Sequence, residues 1–174
     1  MPVIIHAVQK LLNTSRLEAV QYISEPDQGQ LLHSWYARLI KTGFSGKLLV
    51  MYVHQPSLLT VICKGKTIGK TWNEFVNRLP ALLRKIGFSE HLIQSEMSLV
   101  NNYVVGKTSS KAMLGHMNDM VVMLEYQCER YASYDGISEE ELENNMTQYI
   151  YGTQNKGARY ITSVDYWKDF FKGK

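Results

Sequence analysis

Leu48-Leu49-Val50-Met51-Tyr52-Val53 is the stretch on which the fold turns. In a strand, successive side chains point to opposite faces. This run is apolar at both odd and even positions, so it has no face to give to water and is expected to be the most buried strand. Turn-forming segments frame it, Thr42-Gly43-Phe44-Ser45-Gly46 before and His54-Gln55-Pro56-Ser57 after. Beyond them lie two more β-rich runs, 35–40 and 58–63. Short turn-rich gaps suit antiparallel hairpins, so the three runs read as a meander.

Towards the N-terminus, residues 3–8 are apolar and largely β-branched and read as a strand leading into a short helical piece at 9–12. Residues 15–23 fit either helix or strand, and Ser24-Glu25-Pro26-Asp27-Gln28-Gly29-Gln30 reads as a loop. Towards the C-terminus, Thr71-Trp72-Asn73-Glu74 has the spacing of a capping box, followed at helical intervals by Phe75, Leu79, Leu82, Leu83 and Ile86. Pro80 predicts a kink or break near Leu79. Gly87 ends that helix, Ser89 caps a short one reaching about Leu99, and 102–105 suits a strand. From Ser110 the stripe Met113, Leu114, Met117, Met120, Val121 and Leu124 predicts the clearest helix of the chain. Ser138-Glu139-Glu140-Glu141 forms a second capping box whose carboxylates suit a helix N-terminus. Residues 166–171 read as a C-terminal amphipathic turn or helix. The expected architecture is a single α+β domain over 1–174: an antiparallel meander of three or four strands with helices packed on one face.

The totals bound the function. The 174 residues are 45% hydrophobic and 20% charged with a net charge of +3, which fits one globular domain and is too weak a charge to imply nucleic acid. Lys64, Lys66, Lys70, Lys107 and Lys111 are read as solvated loop residues. No apolar run reaches the ~18 residues of a membrane span, and the opening Met1–His6 segment is too short for a signal peptide. Cys63 and Cys128 lie in apolar segments, so they are expected to be buried and reduced, in a cytoplasmic protein.

Several motifs fall short of a known chemistry. Gly65-Lys66-Thr67-Ile68-Gly69-Lys70-Thr71 sits between strand and helix as a phosphate-binding loop would. It has three residues between its glycines where that loop needs four, which changes the number of N–H groups wrapping a phosphate. It is read as a basic turn. The histidines His6, His33, His54, His91 and His116 show no metal-ligand spacing. No serine-nucleophile elbow and no cofactor motif is present.

Leu114-Gly115-His116-Met117-Asn118-Asp119-Met120 is different, because it sets glycine and polar groups beside the apolar stripe of the strongest helix. Glycine inside a helix costs about 1 kcal/mol against alanine. Two readings are open. In one, the patch is a site: His116 is an acid/base group oriented by Asp119, and Asn118 holds a ligand. In the other, Gly115 admits a close neighbour while Asn118 and Asp119 satisfy backbone groups of a nearby loop. Trp35-Tyr36-Ala37-Arg38 adds an aromatic pair and a guanidinium. Alternation sets Trp35 and Ala37 on one face and Tyr36 and Arg38 on the other, one face core and the other a candidate stacking platform.

The chain also resembles a family of small bacterial domains of unknown function over nearly its whole length. The matching segments are the opening strand with Gln9-Lys10-Leu11-Leu12, Trp35-Tyr36-Ala37-Arg38-Leu39-Ile40, the 47–53 strand, Leu58-Leu59-Thr60-Val61 and, most specific, Leu114-Gly115-His116-Met117-Asn118-Asp119. In the family pattern asparagine is usual where Arg38 stands and serine where His116 stands. The resemblance therefore implies Trp35, Gly115, Asn118 and Asp119 as shared elements and argues against a family-wide acid/base role for His116. It implies no activity. Two functions are expected from these readings. One is a non-enzymatic binding or interaction protein with a protein partner, in a bacterial defence or mobile-element setting. The other is a small-ligand-binding protein or enzyme with a site drawn from Trp35, Arg38, Gly115, His116, Asn118 and Asp119.

Overall fold

A computed structural model of the chain describes residues 2–23, 29–152 and 159–174. In chain order the elements are β1 (Val3–Ala7), α1 (Gln9–Ser15), β2 (Ser34–Lys41), β3 (Leu48–His54), β4 (Thr60–Lys64), α2 (Ile68–Lys85), α3 (Glu90–Leu99) and β5 (Tyr103–Lys107). They are followed by α4 (Lys111–Cys128), α5 (Glu139–Met146), β6 (Tyr151–Gly152), β7 (Tyr160–Ile161) and α6 (Ser163–Lys172). Of the predicted loop at 24–30, residues 24–28 lie outside the described residues.

The meander forms as read. β2 pairs antiparallel with β3, Trp35 opposite His54, and β3 pairs antiparallel with β4, Tyr52 opposite Val61. Six of the seven β3 residues are buried, as an all-apolar run requires. The sheet, however, has five strands in the order β4-β3-β2-β1-β5, and β1 pairs in parallel with both β2 and β5. An antiparallel sheet of three or four strands is therefore corrected to a mixed one of five. The physical reason is chain length: residues 8–33 separate β1 from β2, enough for the crossover that parallel pairing needs.

Helices also cover both faces of the sheet, not one. Val50, Tyr52, Val61, Trp35, Ala37 and Ile5 pack under α1, α2, α3 and α6. Tyr36, Ile40, Leu49, Met51, Val53 and Ile62 pack under α4 and α5 on the other side. A β3 that is apolar on both faces demands this arrangement. Tyr36 is consequently buried under α4, with His6 stacked on it at 4.8 Å, and offers no open platform. Cys63 and Cys128 are free, buried and in opposite layers.

Helix α2 starts one turn earlier than the capping pattern predicts. Thr67, in extended backbone, accepts from the Lys70 N–H and is the N-cap, because buried Ile68 anchors the first turn in the core. Thr71 is buried inside the helix; its hydroxyl donates to the Thr67 carbonyl at 2.8 Å and accepts from the Tyr52 hydroxyl at 2.6 Å. A Cβ on Gly65 would lie 2.7 Å from the Thr71 methyl, so this basic turn needs glycine for close approach. The helix continues through Pro80 without the predicted break. Phe75 and Leu79 before the proline and Leu82 and Leu83 after it are buried against the sheet, and that packing outweighs the lost backbone bond.

The outer edge of the sheet is closed by a carboxylate. Glu143 of α5 accepts the β4 edge N–H of Ile62 at 2.9 Å and is held by the Arg78 guanidinium of α2, with Nε at 3.1 Å. Arg78 also faces Glu139 at 3.5 Å, and Glu139 takes Lys64 at 2.9 Å. An unpaired strand edge invites foreign strands, and this one is covered from within.

Candidate functional site

Helix α4 lies along β2 and is tied to it at three levels. The Ser110 hydroxyl caps it by accepting from Met113 N–H, and the Ser110 N–H donates to the Tyr36 hydroxyl at 3.1 Å. Arg38 donates to the Asn118 side-chain oxygen in mid-helix. Near the far end, Glu125 accepts the Lys41 N–H at 3.2 Å. Met113, Met117, Met120, Val121 and Leu124 face down into the sheet. With 3.6 residues per turn, positions 116 and 118 project about 200° apart, so the polar patch is divided between the two flanks of the helix.

Gly115 stands on the exposed side, and a Cβ there would meet nothing within 4 Å. Among the described residues it has no close neighbour. Asn118 and Asp119, among the described residues, bond side chains, Arg38 and Tyr149, and not loop backbone.

On one flank, half-buried His116 meets two tyrosines from the chain beyond α5. Its ring is edge-on to Tyr149, with centroids 6.2 Å apart, and to Tyr151 at 5.6 Å. The Tyr149 hydroxyl donates to Asp119 Oδ2 at 3.4 Å and lies 3.4 Å from His116 Nδ1. The hydroxyl has one proton to give, so when it goes to Asp119 the His116 Nδ1 serves as donor in the second contact and Nε2 as acceptor. Burial pushes the His116 pKa down, partly opposed by the Asp119 charge, and burial together with Asp119 pushes the Tyr149 pKa up. The imidazole is thus neutral at pH 7. Beside it opens a cavity of about 330 Å³ between the start of α4, the β3–β4 turn, the β6–β7 ribbon and α6. Leu58, Met113 and Ile161 supply apolar wall, and Ser110, His116 and Tyr166 supply polar rim.

On the other flank is an open groove of about 640 Å³ at the point where β1 ends and β2 runs on alone beside β3. Arg38 and Asn118 line it, together with Lys10 of α1, Lys41 of β2 and Glu125 of α4. Arg38 is half-buried, and among the described residues no carboxylate pairs with it. Trp35 joins neither recess. It is fully buried in the opposite layer, donating from Nε1 to the Leu32 carbonyl at 2.8 Å and packing on Phe75 at 4.9 Å. Among the described residues no three His, Cys, Asp or Glu side chains converge as a metal site needs.

Sequence reasoning missed Tyr149, Tyr151 and Tyr166 on one flank and Lys10, Lys41 and Glu125 on the other. No local spacing signals them, because they arrive from other elements. It also left His54 among unpaired histidines. His54 is buried between Trp35 and Trp167 and donates from Nε2 to the Leu31 carbonyl at 2.9 Å. Its Nδ1 accepts from the Ser57 hydroxyl at 2.7 Å, and burial holds its pKa down at about 3.

A five-stranded mixed sheet between two helical layers, with a recess on each flank of one covering helix, defines an α+β domain. The chain belongs to a domain family of unknown function (DUF6933), whose model matches residues 4–165. The resemblance to an uncharacterised domain family read from the sequence therefore holds. No curated protein and no solved structure matches the chain. No helix among the described residues is long and apolar enough to cross a membrane.

Proposed function

We propose that the protein binds a small molecule in the cavity beside His116. The cavity carries this reading: about 330 Å³ of concave space with apolar walls and a few convergent polar groups is the make-up of a ligand pocket. The neutral His116 presents Nε2 as an acceptor, so the fitting ligand is compact, mostly apolar and bears one N–H or O–H donor. Binding without turnover is the better reading, since the serine usual at position 116 of the resembling pattern shares the histidine's capacity to accept a hydrogen bond and not its titration near neutrality. The buried free thiols of Cys63 and Cys128 suit a reducing, cytoplasmic setting.

A ligand-observed NMR screen of small donor-bearing aromatics, with Ala112→Phe as the control that fills the cavity, tests this. Hits lost in Ala112→Phe and weakened in His116→Ala support the cavity. Hits indifferent to both substitutions, or none at all, remove it. A second reading, a protein partner, is favoured by the outward side of α4, where Val122 and Tyr126 are 69% and 63% exposed beside Met123. Concentration-dependent association that Val122→Lys abolishes would favour it.

A further inference from the structure

We propose that the groove on the other flank of α4 is a separate binding site for an organic phosphate monoester, with Arg38 as its central recognition group. Its charges do not balance. Lys10, Arg38 and Lys41 line it against the single carboxylate of Glu125, a difference of 3 − 1 = 2 positive charges, and one Glu125 oxygen is already occupied by the Lys41 N–H. Arg78, Arg84 and Arg159 each face a carboxylate. Arg38 instead is positioned by a neutral amide.

The amide's orientation is fixed by chemistry. A guanidinium only donates, so the Asn118 atom that meets it is the oxygen, and Nδ2 becomes a further donor beside the arginine. One guanidinium N–H is used by Asn118, and the rest have no protein acceptor among the described residues. A planar fork of donors with two flanking ammonium groups matches a phosphoryl group, which carries about −1.5 to −2 charge at pH 7 when monoesterified. The surplus of two positive charges suits that dianion better than a single carboxylate. Val8, Leu39, Leu48 and Val121 give the groove apolar wall, and its volume of about 640 Å³ leaves room for an organic body attached to the phosphate. The site stands independently of the His116 cavity, from which α4 separates it.

Isothermal titration of the full chain with adenosine 5′-monophosphate, inorganic phosphate and adenosine at low ionic strength tests the proposal. The monophosphate is expected to bind and adenosine not to. Arg38→Gln should weaken binding by about tenfold or more, Arg38→Lys should fail to restore it in full, and added salt should weaken it further. His116→Ala should leave it unchanged, which keeps this outcome distinct from that of the first cavity. If Arg38→Gln does not fold, the Lys10→Gln, Lys41→Gln double variant carries the same test. Absence of binding at millimolar monophosphate overturns the proposal. So does binding indifferent to Arg38→Gln, equal binding of adenosine, or binding of inorganic phosphate without the monoester.

Discussion

Arg78 and Arg38 are both half-buried arginines held by a side chain from another element, and they differ in what holds them. Arg78 lies between the carboxylates of Glu139 and Glu143, and Glu143 in turn covers the edge N–H of Ile62. Every charge there is answered inside the protein. Arg38 is held by the uncharged Asn118, with Lys10 and Lys41 adding to its charge. A buried ion pair that closes a sheet edge is architecture. A guanidinium positioned by an amide in an open groove is, under the phosphate proposal, a recognition group awaiting its counter-charge. The two histidines repeat the contrast: His54 has both ring nitrogens engaged in the core, while His116 lines the cavity and, among the described residues, bonds through Nδ1 alone.

The largest expected effect lies on the architectural side. Glu143→Ala removes the acceptor of both Arg78 and the Ile62 N–H in a buried setting, and should cost about 3 kcal/mol in urea unfolding. A cost below about 1 kcal/mol would mean that the ion pair is not what closes the edge.

His54 is next. The unfolded chain takes up a proton near pH 6.5, whereas the folded chain holds His54 neutral down to about 3. Its contribution is therefore complete above pH 6.5 and drains away as pH falls towards 3, by about 2 kcal/mol between pH 7 and pH 5. Chemical denaturation at the two pH values should show this slope, and His54→Gln should flatten it. An unchanged slope would assign the acid sensitivity elsewhere.

Smaller effects belong to the patch. Gly115→Ala should stabilise by about 0.5–1 kcal/mol, since the position is helical and open and glycine only adds unfolded-state entropy. A loss of stability would reveal a close contact. Asn118→Ala should change stability by less than about 0.5 kcal/mol, because the pair it breaks faces an open groove.

How much of this was legible in the sequence differs by element. The meander, the Ser89 and Ser138 caps and the long α4 helix follow from local spacing, and they form. The parallel placement of β1 between β2 and β5 has no local signature, because its partners start at residues 34 and 103. The covering of both sheet faces is implicit in 48–53, since a strand apolar on both sides needs cover on both sides, but no local spacing says which helices supply it. Thr67 and Thr71 are one turn apart and both suit a cap; burial of Ile68 decides between them. In the patch, the residue types were readable but not their partition. His116 and Asn118 project to opposite flanks, and the partners that give each flank its chemistry, Tyr149 and Arg38, lie 33 and 80 residues away in the chain.

The contrast between the two arginines is tested most directly by measuring Arg78→Gln and Arg38→Gln side by side in urea at neutral pH. Arg78→Gln should lose about 3 kcal/mol, because it strands a buried carboxylate, and Arg38→Gln should stay within about 0.5 kcal/mol of the parent. Equal losses would contradict the account, making Arg38 a structural residue and leaving the groove without a reason for its charge.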